Sequence, residues 1–158
     1  MAIHRAIDAL LKELLDGPPD DAAFVLNPGA RGLLAALDAL TADAASAQPG
    51  GRSSVAAHVD HLRYGFELLN RWARGENPWA DADYAASWQR QRVNDEQWRT
   101  LRTVLADQAR AWRKAVAERV EWDDVTLTGA VASAAHLAYH VGAIRQIERA
   151  ASGPPAKD

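Results

Sequence analysis

The stretch Ala135-His136-Leu137-Ala138-Tyr139-His140-Val141-Gly142-Ala143-Ile144-Arg145 decides how this chain is read. It reads as part of a helix, and its two histidines stand four residues apart. On a helix that spacing puts both imidazoles on one face, roughly 6 Å apart along the axis, where one metal ion reaches both. At roughly 100° per residue, His136, His140, Ala143, Ile144 and Ile147 share one side, with Arg145 and Arg149 opposite. The histidines are therefore expected to point into a core. Burying a polar ring unpaired is costly. The pair is satisfied either by carbonyls and hydroxyls, as ordinary core histidines are, or by a metal.

A second pair shifts the balance toward a metal. His58 and His61 lie three apart in Ser54-Val55-Ala56-Ala57-His58-Val59-Asp60-His61-Leu62, which also reads as a helix. His61, Gly65, Leu68, Leu69 and Trp72 form one face with His58 at its margin, while Arg63, Glu67 and Asn70 lie on the other and Asp60 falls on the outer side. Four of the five histidines thus occupy the inner faces of two helices, and only His4 does not. Independent core histidines are rarely distributed in that way.

The 158 residues suit a single domain spanning 1–158, long enough for a full core. Ala, Leu and Arg dominate and β-branched residues are sparse, which favours an all-α fold. The net charge of -3 and the lack of a basic run argue against a nucleic-acid partner. The absence of cysteine excludes disulfides, thiolate zinc sites and a cysteine nucleophile. Neither a signal peptide nor an apolar run of spanning length occurs, so no membrane role and a cytoplasmic location are expected.

A first helix is expected over 2–16, with Ile3, Ile7, Leu10, Leu11 and Leu14 inward and Gly17-Pro18-Pro19 ending it. A second follows over 31–46, with Leu33, Leu34, Leu37 and Leu40 inward. The third, capped by Ser53 or Ser54, carries His58 and His61 and fades near Gly75. Residues 76–93, with Trp79, Tyr84 and Trp88, lack clean periodicity and are long for a connection in a bundle. They serve as a lid over a pocket or as a crossover that travels the length of the bundle. Asn94 with Gln97 opens a helix whose stripe is Trp98, Leu101, Leu105, Trp112 and Val116. Residues 121–129 are expected as a connector, briefly extended at Val125-Thr126-Leu127. Thr128 caps the last helix over 129–151, and the tail 152–158 is expected to be disordered.

A three-histidine site leaves coordination positions for water or substrate, as catalytic zinc sites do. Imidazole suits Zn, Ni, Cu and Fe alike. Such an ion acidifies bound water and polarises a substrate oxygen or thiol. No inward Glu-x-x-His pair appears, which disfavours a ferritin-like di-iron centre. Position 137 is Leu, so the glutamate of the zinc-protease motif is missing.

Ser54-Val55 through His61-Leu62, paired with His136-Leu137-Ala138-Tyr139-His140 on the last helix, resembles the DinB/YfiT-like superfamily of metal-dependent enzymes. The likeness runs from the second helix onward and rests on helix order, the long connection before Trp98 and the histidine set. It implies a four-helix bundle, here with an additional N-terminal helical segment and a long connection between the bundle's second and third helices. It implies a nickel or zinc ion on His61, His136 and His140, with His61 preferred to His58 because the family's ligand directly precedes an apolar residue, here Leu62. His58 then stands behind the ligands or acts as a general base. Some relatives transfer groups to mycothiol, bacillithiol or glutathione, so a small-molecule substrate such as a low-molecular-weight thiol is expected. A metal-dependent hydrolase and a non-catalytic metal-binding or dimerising bundle, with a homodimer as its assembly, are the competing readings. Packing roles are expected for Tyr139 and Trp72, and a solvated position for Arg145. Gly65, one turn from His61, leaves room beside the site or permits close helix packing.

Overall fold

The structure, a computed structural model, describes residues 3–19 and 22–148. Arg149 and the tail expected to be disordered lie outside them. Among the described residues all regular structure is helical: α1 (Ile3–Asp16), α2 (Leu33–Asp38), α3 (Ala42–Ser46), α4 (Val55–Ala73), α5 (Asp95–Glu118) and α6 (Asp124–Ile147), with short 3-10 turns at Pro49–Gly51, Pro78–Ala80 and Ala86–Trp88. None of these helices is long and apolar enough to cross a membrane. The chain divides into two compact units, Met1–Ala39 with Val116–Asp158, and Leu40–Ala115.

In the first unit α1 packs against α6 and α2. Ile7, Leu11, Leu14 and Leu15 are its buried stripe, whereas Ile3 is exposed. The helix ends where Gly17 takes a positive φ of 105° and donates its N–H to Glu13 O at 2.9 Å. Gly32, the N-cap of α2, lies directly against this end. A Cβ there would overlap the backbone of Leu15, Asp16 and Gly17, so the approach requires glycine. The buried Glu13 carboxylate accepts backbone N–H bonds from Leu26 at 2.7 Å, Val25 at 2.8 Å and Phe24 at 3.1 Å. It thereby stands in for secondary structure in a loop that has none. Arg145, expected to be solvated, is only partly exposed and donates from Nη2 to Arg31 O at 2.9 Å.

The last helix is capped five residues earlier than expected, at Asp123 instead of Thr128. Asp123 Oδ1 accepts from Thr126 N at 2.7 Å, and Thr126 Oγ1 accepts from Asp123 N at 3.1 Å. This reciprocal capping box makes Val125-Thr126-Leu127 helical and leaves Thr128 inside the helix. The β-branched pair suggests strand locally, but two satisfied backbone donors outweigh that weak preference.

The expected helix over 31–46 is broken into two separate helices, α2 in the first unit and α3 in the second. Thr41 Oγ1 caps α3 by accepting from Ala44 N at 3.1 Å, and the carbonyl of Leu40 takes the indole N–H of Trp98 at 2.9 Å. The backbone groups freed by the break are thus satisfied from elsewhere. Ser54 caps α4 by accepting from Ala57 N at 3.2 Å. The Asn94–Gln97 box opens α5 as expected, with bonds of 2.8 and 3.0 Å. Its five-residue stripe from Trp98 to Val116 is buried throughout. Asn70, expected on the outer face of α4, is instead buried. Its amide donates to Gln108 on α5, at 2.7 Å to Oε1 and 2.9 Å to the carbonyl. Trp72 packs as expected, stacked on Trp112 with centroids 6.4 Å apart.

Candidate metal centre

His58 and His61 are carried by α4, and both are buried. What surrounds them comes largely from residues 76–93. His61 Nδ1 lies 2.8 Å from Ser87 Oγ, and the Trp88 indole stacks on the His61 ring at 4.3 Å and 22°. His58 meets the same indole edge-on at 5.0 Å. The segment has little regular structure but is fastened to α4 along its length. Trp79 packs on Trp72, Tyr84 on Tyr64, and the Tyr64 hydroxyl accepts from Asp83 N at 2.9 Å. Gln91 Oε1 accepts from Ser54 N at 2.8 Å. Arg90 Nε donates to Asp60 at 2.9 Å, and Arg63 Nε donates to the same carboxylate at 2.7 Å. Asp60, expected on the outer side of its helix, is therefore buried beneath two guanidiniums. The sequence pattern marked a polar position but not the arginine that arrives from thirty residues away to cover it.

His136 and His140 are carried by α6, one turn apart, with Nε2 atoms 3.0 Å from each other and rings edge-on at 87°. His140 is 1% exposed, but His136 is exposed, contrary to the expectation that both point into a core. The apolar residues of α6 run nearly all the way round it: Val125, Val131 and Tyr139 are all exposed. Hydrophobic periodicity therefore could not tell which side of this helix faces inward. Tyr139, given a packing role from sequence, is 68% exposed and touches the His140 ring only edge-on at 5.0 Å.

Of the three residues that the resemblance singled out, His136 and His140 belong to the first unit and His61 to the second. The donor set fits a transition ion, because imidazole nitrogen is a good ligand for Zn, Ni, Cu and Fe. The Nε2 atoms of His136 and His140, 3.0 Å apart, are close enough for one ion to reach both. Burial pushes the imidazole of His58 below the usual histidine range, and partial desolvation of the ring does the same for His136 despite its exposure, which favours the neutral form able to bind an ion or a proton. Ser87 was not visible from sequence. A single serine in an aperiodic loop has no pattern, and only the aromatic content of its segment marked the region.

Comparison of the chain with protein-family models, with curated proteins and with solved structures finds no match.

Proposed function

We propose that His61, His136 and His140 hold one divalent transition ion, nickel or zinc, and that the chain is a metal-dependent enzyme acting on a low-molecular-weight thiol, built as a DinB/YfiT-like four-helix bundle. The observation that carries the reading is the His136–His140 pair, one turn apart on α6 with its Nε2 atoms 3.0 Å from each other. When bound, the ion favours the deprotonated form of a thiol or water near neutral pH and so supplies the nucleophile this cysteine-free chain lacks. Exposure of His136 lets a small molecule approach its ring. His58, buried, biased toward the neutral form and three residues before His61 on α4, is the proton acceptor in this reading. Three protein ligands leave positions for substrate, whereas a fourth would favour a structural role.

The test begins with elemental analysis of protein purified without a histidine tag, where about one ion per chain is expected. His140→Ala or His61→Ala should abolish binding. His58→Ala should retain the ion with affinity weakened about 10- to 100-fold at most. Stoichiometric metal in both ligand variants would overturn the site. Mycothiol, bacillithiol and glutathione are then offered with a generic electrophile, alongside ester and amide substrates without thiol. Thiol consumption that chelation abolishes and added metal restores is the expected result. Hydrolysis with no thiol requirement would make the protein a metal-dependent hydrolase instead.

A further inference from the structure

The contact between His61 and Ser87 carries a consequence for which nitrogen of His61 binds. A serine hydroxyl has one proton to donate and lone pairs to accept with. Ser87 Oγ lies 2.7 Å from the carbonyl oxygen of Tyr84, which can only accept, so the hydroxyl proton is committed there. Toward His61 Nδ1, 2.8 Å away, the same oxygen is then an acceptor, and the proton of that bond belongs to the imidazole. A neutral ring protonated on Nδ1 carries its lone pair on Nε2. The turn that holds Ser87 is itself pinned, since Asp83 Oδ1 accepts from Ala86 N at 2.9 Å. Trp88, the next residue, stacks on the imidazole and restricts its rotation.

We propose that Ser87 is a positioning residue of the metal centre: it holds the proton of His61 on Nδ1 and so presents Nε2 to the ion. The inference rests on the metal-site reading above. It gives residues 76–93 a role beyond joining two helices, because the chain Tyr84 carbonyl–Ser87 hydroxyl–His61 imidazole is the hydrogen-bonded support that metal-bound histidines generally require. Ser87 is buried, so water does not compete readily for the bond.

The experiment reads the tautomer directly. In metal-free protein labelled with nitrogen-15 at histidine, two-bond proton–nitrogen spectra should show His61 with Nδ1 protonated and Nε2 bare. Ser87→Ala should introduce the Nε2–H form and weaken Zn2+ binding about 10- to 100-fold, whereas Ser87→Thr should retain both the tautomer and the affinity. An Nε2–H form in the unaltered protein would overturn the proposal, as would an alanine variant that binds Zn2+ with full affinity. The tautomer of the unaltered protein is decisive even where Ser87→Ala fails to fold. Because it is read without metal, an Nδ1–H form in a chain that binds no Zn2+ would overturn the metal centre while leaving the Ser87–His61 bond in place.

Discussion

Each of the two units fastens a loop with a buried carboxylate, but they do it by different means. Glu13, 2% exposed, accepts backbone N–H groups from three consecutive residues. Asp60, 5% exposed, is covered by the side chains of Arg63 and Arg90. Backbone donors are fixed by the course of the chain, and when left unpaired they cost the full penalty of a buried polar group. Guanidiniums sit on flexible stems, and that of Arg90 is 44% exposed, so losing their partner lets them turn to water. The first unit should therefore be sensitive to steric change and to acid, and the second to salt.

The largest effect is expected where backbone meets backbone. Gly32→Ala puts a Cβ against the peptide units that close α1, with no flexible side chain to give way. A loss of about 3 kcal/mol in urea-unfolding stability is expected, at the upper end for overpacking. A loss under about 0.5 kcal/mol would show that this joint is looser than its geometry.

Glu13→Gln is expected to cost about 2 kcal/mol at neutral pH, since an amide offers one acceptor where the carboxylate offered two. Burial opposes the charge of Glu13, but the bonds from Leu26, Val25 and Phe24 outweigh it and hold the carboxyl below the ordinary glutamate range. A lowered folded-state pKa gives stability that is present above the unfolded value and lost as pH falls through the folded one. Unfolding curves of the two proteins should therefore differ fully at neutral pH and converge in acid. A difference that persists unchanged below the ordinary glutamate range would assign the cost to packing.

Asp60→Asn should cost least, about 1 kcal/mol, because Arg63 keeps its 2.7 Å bond to Glu67. Raising the salt concentration should shrink the Asp60→Asn effect more than the Glu13→Gln effect, as partly exposed ion pairs are screened and buried backbone bonds are not. Equal salt dependence would erase the contrast between the units.

The all-helical class, the α1, α4 and α5 segments and the α5 stripe were legible because composition and a 3.6-residue period mark them directly. Where a local cue competed with a better local cue, the weaker one misled. Thr128 is a good cap by type, yet Asp123 and Thr126 cap each other reciprocally. The single helix expected over 31–46 failed for a different reason. Its break at Leu40 is stabilised by Trp98, 58 residues away, which no local window contains.

The candidate site divides in the same way. By itself the sequence determined which residues have the chemistry: two histidine pairs at helical spacing, no cysteine, and an aromatic segment between helices. Spacing along one helix is a local property, so the proximity of His136 to His140 followed from it. Only the tertiary structure decided that His136 is exposed, that Asp60 is buried under Arg90, and that Ser87 reaches His61. Each of these depends on contacts between segments distant in the chain, where burial and hydrogen bonding act on positions that residue type and periodicity leave open.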